Sequence, residues 1–371
     1  MRDSEKARAF AFSGNWREFA PIAFTNLLLS IVTLGVYIFW ARARERRYLW
    51  SRTRFIDDRL EWTGTGRELM VGYGLAFLLL ALPIGLINFI AFNAAIMRGH
   101  EGIAALLGFA MYLLFFFLTG LAVFRGLRYR LSRTLWHGIR GGSDSFGLAF
   151  GWSYLWKMLL GSFSLGLLTP WAMTSLWNDR FGEMSFGPLR FQAEARAGPI
   201  FLRFLLFYLA PILFLVSVMA VIMIGVFTGV FAGAFGHLPT VPTPSPSTLP
   251  IVLFLVLGGF YLLFFVVLGV IALSYYSAYF RQAIGTLRLG ELEFAFTATT
   301  GDWIRLFVGN FALVFGTLGV GYVFVGYRNW TFFVRYMEAY GEVELTGFTQ
   351  STTRAPRQGE GLLDAFDIGA I

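Results

Sequence analysis

The sequence contains no cysteine and has few of the other residues that carry chemistry. Its 371 residues include three histidines and two lysines, and charged residues make up only 14% of the chain. The absence of cysteine excludes disulfides, iron–sulfur clusters, thiolate metal sites and cysteine nucleophiles. The histidines, His100, His137 and His237, lie far apart in the sequence, which argues against a histidine metal cluster. We therefore expect neither a metal ion nor a cofactor.

Long apolar runs are what the sequence has instead. Hydrophobic residues make up 57% of the chain, 42 of them are phenylalanine, and the mean hydropathy is +0.64. This composition is typical of a polytopic membrane protein. Seven apolar runs reach the ~20 residues that a helix needs to cross a bilayer. They cover residues 19–41, 69–97, 103–124, 146–177, 204–236, 249–280 and 306–327.

The net charge of +8 comes almost entirely from arginine. In a membrane protein such an excess is typical of cytoplasmic connections, and we prefer this interpretation to nucleic-acid binding. Only the connections at residues 98–102 and 236–250 are poor in cations. This pattern predicts two spanning hairpins, which make four full spans, and places both termini in the cytoplasm.

The three remaining apolar segments have cytoplasm-like charge at both ends, and they contain copies of one motif. Each copy reads Ser or Thr, Leu, Gly and then a short apolar run, and three copies indicate an internal repeat. The copies are "TLGVYIFW" at 33–40, "SLGLLTPW" at 164–171 and "TLGVGYVF" at 317–324.

We interpret these segments as re-entrant hairpins, which enter the membrane and return to the same side. The motif glycines, Gly35, Gly166 and Gly319, would permit the tight turn. The alternative is three ordinary spans in which each glycine lies at a helix-packing contact.

A polar residue recurs seven positions before the motif, as Asn26, Lys157 and Asn310. If the repeats surround a pseudo-threefold axis, these side chains converge on one central polar site. Lys157 costs ~2.5–3.5 kcal/mol inside a membrane segment and is therefore a functional candidate. Because the apolar segments contain no acid, we expect its partner to be an anion such as a lipid phosphate, or backbone carbonyls and the two asparagine amides. Alternatively, Lys157 snorkels to the headgroups.

Short stretches with alternating apolar residues, bounded by glycine, predict β-strands. All lie on the proposed cytoplasmic side, where they would form small hairpins or one six-stranded sheet. The predicted strands are at residues 8–16, 59–66, 145–152, 189–195, 292–301 and 343–350.

These elements predict an α-helical polytopic membrane protein with three internal repeats, re-entrant or short-spanning hairpins, and a small β-rich cytoplasmic layer. The repeated unit is strand, motif segment, basic helix, strand and spanning hairpin, and the last copy lacks the hairpin. We place repeat 1 at residues 1–130, repeat 2 at 131–280, repeat 3 at 281–350 and a flexible C-terminal tail at 351–371.

The stretches "FSGNWREF", "NLLLSIVTLGVYIFWARARERRYLWSRTRF" and "LEWTGTGREL" resemble the YjgN-like family of bacterial inner-membrane proteins, a family of unknown function. The later blocks "LLTPW" and "YRNWTFF" extend the resemblance over nearly the whole chain. The third motif copy departs from the pattern, because Phe324 stands where the other copies have tryptophan. The resemblance implies a multi-pass protein of the bacterial inner membrane and brings no catalytic residue.

The residues themselves also provide no catalytic constellation. The apolar segments contain no Asp, Glu or His. They therefore cannot provide a pair of catalytic carboxylates, a helical zinc-binding motif or a proton relay through acidic side chains. The glycine-rich stretch at 138–147 lacks the lysine of a phosphate-binding loop and is interpreted as a turn. We therefore expect a protein that is not an enzyme.

Two further stretches are candidate contact sites. The arginines that follow the first motif are expected to bind anionic lipid headgroups, and a purely topological role is equally consistent. They are Arg42, Arg44, Arg46 and Arg47. The acidic and apolar end of the tail is suited to docking into a protein partner or onto the chain's own sheet. Its predicted docking residues are Leu362, Leu363, Asp364, Phe366, Asp367 and Ile371. The resemblance to this type of protein suggests a membrane-associated metalloprotease as a candidate partner.

The sequence thus predicts a non-enzymatic inner-membrane protein that handles lipid or another amphipathic anion at the cytoplasmic face, as carrier, facilitator or binding scaffold. Membrane lipids are the expected partners, and nucleic acid is not. One alternative is a channel or transporter for a solute or ion along the pseudo-threefold axis. Another is a scaffold or regulator of a membrane-associated protease.

Overall fold

The computed structural model describes residues 9–234, 249–341 and 349–353. The chain divides into two compact units. The first consists of Met1–Arg196, Phe280–Ala298 and Arg305–Ile371, and the second of Ala197–Tyr279 and Thr299–Ile304. The first unit contains the sheets and the candidate site that are described below.

Helices dominate the described ranges, and four of them are long and apolar enough to cross a membrane. These four, at Gly66–Met97, Glu101–Arg133, Gly198–Ile224 and Gly258–Gly285, coincide with the predicted spans, which confirms a helical membrane protein. The helices are α1 Trp16–Val32, α2 Ile38–Ser51, α3 Gly66–Ala76, α4 Leu82–Met97, α5 Glu101–Arg133, α6 Leu148–Phe163, α7 Thr169–Gly182, α8 Gly198–Ala234, α9 Leu249–Gly285, α10 Thr300–Gly316 and α11 Val325–Tyr336. A π-helical turn, Phe77–Ala81, joins α3 to α4, and a 3₁₀-helix, Val320–Phe324, precedes α11.

The three motif segments form helical hairpins, α1–α2, α6–α7 and α10–α11, and the motif is the turn of each. The N–H groups of Gly35, Gly166 and Gly319 each donate to a carbonyl five residues earlier, at 2.7 Å in all three turns. These glycines have φ values of 90°, 92° and 93°. The hydroxyl oxygen of the motif Ser or Thr accepts a hydrogen bond from the backbone N–H four residues later, at 2.9, 3.0 and 2.6 Å in the three copies. The motif is thus a helix C-cap that the chain uses three times.

Short antiparallel strands form two sheets. The strand order is β1-β2-β3 in one sheet and β11-β10-β9-β8-β7-β6-β5-β4 in the other. The strands are β1 Phe10–Phe12, β2 Thr53–Phe55, β3 Asp58–Arg59, β4 Glu61–Trp62, β5 Thr134–Trp136, β6 Ile139–Gly142, β7 Ser185–Phe186, β8 Leu189–Ala193, β9 Leu287–Leu289, β10 Leu292–Phe296 and β11 Met337–Tyr340. Leu60 alone separates β3 from β4 and donates its N–H to the Thr53 carbonyl at 2.9 Å, so one chain segment joins the two sheets.

The predicted strands are only partly correct. Four of the six predicted stretches contain strands, and the prediction at 343–350 lies mostly outside the described residues, as does most of the connection at 236–250. The prediction at 145–152 is wrong because α6 begins at Leu148, after Gly147 with a φ of 80°. A period of two over eight residues does not separate a strand from the first turns of a helix. The boundaries of the three repeats stay a prediction.

Candidate functional site

The candidate site is a cavity of about 540 Å³ inside the first unit. Helices and strands both line it. The lining residues on helices are Phe19, Arg42, Glu45, Arg46, Leu49, Trp50, Leu127, Arg130, Leu131, Trp177, Arg180, Phe181, Ile284, Gly326, Tyr327, Asn329, Trp330 and Phe333. Those on strands are Phe10, Phe55, Thr134, Trp136, Phe186, Phe191, Leu287, Leu289, Leu292, Phe294 and Met337, and Leu60 completes the wall.

The cavity lies among the second helices of the three hairpins. Positions thirteen residues after the Ser or Thr of the motif all line it, and so do the positions sixteen residues after. The first set is Arg46, Trp177 and Trp330, and the second is Leu49, Arg180 and Phe333. Matching positions of α2, α7 and α11 therefore line one cavity. Strands of both sheets line the same space, for example β1 of the three-stranded sheet and β11 of the eight-stranded sheet.

Positive charge predominates among the described residues that line the cavity. Four are arginines, at positions 42, 46, 130 and 180, and one is a glutamate, Glu45. The Arg42 Nη1 atom lies 3.5 Å from the Glu45 Oε2 atom. The lining therefore contains more arginines than acids, and its other residues are mainly aromatic and aliphatic.

Aromatic rings accompany the buried arginines. The Arg46 guanidinium lies 5.0 Å from the centre of the Trp62 ring, and the Arg180 guanidinium lies 5.4 Å from both the Trp177 and the Phe181 rings. Arg46 is only 5% exposed. The ring faces attract a cation and allow it to lose part of its hydration. Guanidinium groups held in this way are suited to bind a carboxylate or a phosphate through paired hydrogen bonds.

The charged residues of the lining are unevenly distributed over the elements. Every charged residue that lines it in the described ranges lies on a helix, namely α2, α5 or α7. The strands contribute aromatic and aliphatic side chains and one hydroxyl, that of Thr134. Helices also contribute apolar residues, such as Leu127 and Trp330, so the lining combines cations with apolar surface.

A family model described as "Bacterial protein of unknown function (DUF898)" matches residues 7–365. The chain belongs to this family. The chain is also 25% identical to "Inner membrane protein YjgN" of Salmonella typhimurium strain LT2 over 147 residues, 40% of this chain and 34% of that protein. It is 25% identical to the protein of the same name from Escherichia coli strain K12 over 160 residues, 43% of this chain and 37% of that protein. The matches thus span about a third of these relatives' length. No solved structure matches.

The polar residues that precede the motif in this DUF898 chain bond within their own hairpins. The Arg44 Nη1 atom donates to the Asn26 Oδ1 atom at 3.3 Å, and the Arg328 Nε atom donates to the Asn310 Oδ1 atom at 2.7 Å. Arg44 and Arg328 occupy matching positions, eleven residues after the motif threonine. In the described part of the chain, these contacts join the two helices of a hairpin and do not bring Asn26, Lys157 and Asn310 to one central site.

Lys157 has a partner that the sequence analysis did not anticipate. Its Nζ atom donates a hydrogen bond to the Asp179 Oδ2 atom, which also accepts from the Ser153 hydroxyl at 2.5 Å. The Lys157 residue is 4% exposed, so it does not snorkel to headgroups. The expectation of a lipid or carbonyl partner is corrected, because Asp179 lies beyond the apolar part of the segment and the hairpin brings it back beside Lys157.

The predicted arginine contacts divide between the interior and the surface. Arg42 and Arg46 line the cavity. Arg44 donates a hydrogen bond to Asn26, and Arg47 is exposed. Burial excludes a contact between Arg46 and headgroups at the outer surface. The lipid contact of Arg47 stays a prediction, and the predicted docking tail at residues 362–371 lies outside the described residues.

The sequence analysis missed Glu45, Arg130 and Arg180 as site residues. Arg130 lies near the end of α5 and Arg180 near the end of α7. In the sequence, both residues look like ordinary cations at the predicted cytoplasmic ends of apolar helices. Comparison of the three motif copies could have identified Arg180. It lies sixteen residues after the motif serine, and the matching positions in the other two copies are the apolar Leu49 and Phe333.

The His137 side chain contacts two aspartates, and one of these contacts depends on pH. The His137 Nε2 atom, in the β5–β6 turn, lies 3.0 Å from the Asp57 Oδ1 atom in the β2–β3 turn. Its Nδ1 atom lies 3.5 Å from the Asp58 Oδ2 atom. The hydrogen bond with His137 lowers the pKa of the Asp57 carboxyl below its ordinary value.

Acid should therefore weaken this contact. A carboxyl whose folded pKa is lowered stabilises the fold above its unfolded pKa of about 3.9, and this stabilisation disappears as the pH falls through the folded pKa. Both side chains are partly exposed, so the effect should stay below about 1 kcal/mol. Thermal unfolding of the detergent-solubilised protein between pH 5 and pH 3 checks this. Wild type should lose more stability than Asp57→Asn, and parallel curves would contradict the prediction.

Proposed function

We propose that this chain is a non-enzymatic inner-membrane protein that binds an amphipathic anion, an anionic lipid in the simplest case, at the cytoplasmic face. The cavity carries the proposal, because it combines an excess of arginine with a large apolar wall. Its volume of about 540 Å³ lies within the ~300–1,000 Å³ of ordinary ligand sites. The protein would act as carrier, facilitator or binding scaffold for that ligand.

Two physical terms favour such a ligand over a simple anion. Burial of apolar surface contributes roughly 25 cal/mol per Å², and the aromatic side chains on the strands provide that surface. Hydrogen bonds to charged groups contribute about 1.5–3 kcal/mol each. An inorganic anion would gain only the second term, and an uncharged lipid only the first.

A plugged cavity tests the proposal. Gly326 lines the cavity, and a Cβ atom added there would have no neighbour within 4 Å. Gly326→Phe should therefore add a ring to the cavity lining, and its Cβ atom would meet no neighbouring atom. Gly182→Phe is the matched control, because Gly182 is also a helical glycine with open space around it and does not line the cavity.

Lipid that remains with the purified protein would be extracted and quantified by mass spectrometry. Wild type and Gly182→Phe should retain an anionic lipid in near-stoichiometric amount, and Gly326→Phe should lose most of it. Equal retention by all three proteins would contradict binding in the cavity.

The proposal includes three re-entrant hairpins and cytoplasmic termini. The motif leucines, Leu34, Leu165 and Leu318, are 94%, 84% and 96% exposed at the tips of the hairpins. They adopt φ values of 50–53°, a left-handed conformation that bulky residues rarely accept. A strained, exposed leucine at each tip supports insertion of the tips into the bilayer, since glycine would fill the same backbone position with less strain.

The absence of cysteine makes the arrangement easy to test by single-cysteine labelling. Cysteines at Asp57, Glu183 and Glu291, which are exposed residues in turns, should react with a membrane-impermeant maleimide only in inside-out vesicles. Cysteines at the three tip leucines should react in neither orientation. Labelling of a tip cysteine from the periplasmic side would contradict re-entry and favour an ordinary span.

A further inference from the structure

We infer that the cavity opens to its ligand at a seam between the first and the third hairpin. The seam is the contact of β1, α1, α2 and β2 with the 3₁₀-helix, α11 and β11, all of which belong to the first unit. The inference rests on the proposed function and adds the route by which a ligand enters and leaves the cavity.

Strand ladders close the other two junctions between successive hairpins. The β4 strand, which follows the first hairpin, pairs with β5, which precedes the second, and Glu61 lies opposite Leu135. After the second hairpin, β8 pairs in the same way with β9. At the seam, β11 follows the third hairpin and lies in contact with β1, which precedes the first. In the described chain, no backbone hydrogen bond joins β1 to β11.

Side chains hold the seam closed. The Trp330 Nε1 atom donates to the Thr53 Oγ1 atom at 2.9 Å, and the Tyr327 hydroxyl donates to the Gly14 carbonyl at 3.1 Å. The Trp330 ring also stacks on the Trp50 ring, with the ring centres 4.1 Å apart and the planes at 25°. The large rings of tryptophan and tyrosine thus join the two sides, and their polar ends have partners across the seam.

The seam should open more easily than either ladder. Strands that separate expose several backbone N–H and C=O groups at once, and each of these groups needs a new partner. The two hydrogen bonds described above release the indole and phenol donors, which can bond to water instead. The separated rings would meet the apolar part of an entering amphiphile. Among the junctions described here, the seam is therefore the one suited to open and close.

The seam is also a wall of the cavity. Residues on both of its sides line the space, namely Phe10, Phe19, Trp50, Gly326, Tyr327, Asn329, Trp330, Phe333 and Met337. An opening at the seam would lead directly into the proposed binding site. It would leave the β4–β5 and β8–β9 ladders in place, so the fold could stay intact while ligand exchanges.

Cross-linking tests the entrance, because the chain has no cysteine of its own. Ala11→Cys in β1 and Ala339→Cys in β11 are joined by a short bis-maleimide after the purified full-length protein has been loaded with radiolabelled oleate. The matched control joins Glu61→Cys to Leu135→Cys, which lie opposite each other in the β4–β5 ladder. Release of the label into an excess of unlabelled oleate is then timed.

The cross-link at the seam should slow release roughly tenfold or more, and the control cross-link should leave it within about twofold of the protein without a cross-link. Equal release rates from the two cross-linked proteins would overturn the entrance at the seam and leave the proposed function standing. Failure of the wild type to bind oleate saturably would instead contradict the proposed function, and the seam would have no ligand to admit.

Thr53→Val tests the opposite change, a weaker seam. Thr53 is 1% exposed and does not line the cavity, and valine has a similar volume but cannot accept the Trp330 hydrogen bond. Release should therefore become about three- to tenfold faster. The control is Thr63→Val, which removes a hydroxyl that donates to the Arg133 carbonyl at 3.2 Å, beside the β4–β5 ladder. Equal release from the two variants would contradict closure of the seam by its side chains.

Discussion

Replacing Asp179 by asparagine should destabilise the protein by an amount toward the lower end of about 3–5 kcal/mol, the cost of breaking a buried ion pair. Lys157 would keep its charge at 4% exposure and lose its carboxylate partner. Asp179 has a side chain that is 36% exposed, so water reaches one edge of the pair and limits the loss. Thermal unfolding in detergent, followed by tryptophan fluorescence, measures the change.

The double variant Lys157→Met with Asp179→Asn should recover most of that stability. It removes the buried charge together with its partner, and methionine keeps nearly the same apolar length. The control is Arg288→Met, which breaks the Arg288–Glu293 pair between side chains that are 59% and 58% exposed. Such a surface pair is worth only ~0–1 kcal/mol. If Asp179→Asn unfolded at the temperature of Arg288→Met, the buried pair would not hold the α6–α7 hairpin.

Replacing two cavity arginines by methionine should cause the largest loss of ligand affinity. In Arg46→Met with Arg180→Met, two charge-assisted contacts of about 1.5–3 kcal/mol each disappear. Since about 1.4 kcal/mol corresponds to a tenfold change, affinity for an amphipathic anion should fall by at least a hundredfold. Methionine preserves apolar packing against the neighbouring aromatic rings. Equilibrium binding of a radiolabelled fatty acid to the purified protein measures the loss.

Arg47→Met is the matched control for this experiment. Arg47 follows Arg46 directly in α2, yet it is exposed and does not line the cavity. The control removes the same charge from the same helix and should leave the affinity within about twofold of wild type. An equal loss in the control would mean that the net charge of the protein, and not the cavity, attracts the ligand.

Local signals in the sequence were sufficient for several elements of the structure. A Ser/Thr-Leu-Gly turn depends on a hydroxyl, a left-handed position and a glycine that are adjacent in the chain, so the three turns could be located by their pattern. The four spans could be found because a membrane requires a long apolar run regardless of what packs around it. The family resemblance to the YjgN-like proteins was likewise carried by contiguous blocks and is confirmed.

The features that the sequence did not reveal are non-local. Lys157 and Asp179 are 22 residues apart and meet only because the hairpin closes. Arg130 and Arg180 become cavity residues only when the strands and the second hairpin helices gather around one space. Strands such as β7, with two residues, are too short for a period to be seen, and they form because the neighbouring strands provide hydrogen-bond partners.

The most direct test of ligand binding in the cavity is a high-resolution density map of the full-length protein in lipid nanodiscs. Continuous density of an amphipathic ligand is expected in the cavity, with its anionic headgroup beside Arg46 and Arg180. A cavity that holds only ordered water, or one that the surrounding side chains close, would contradict binding there.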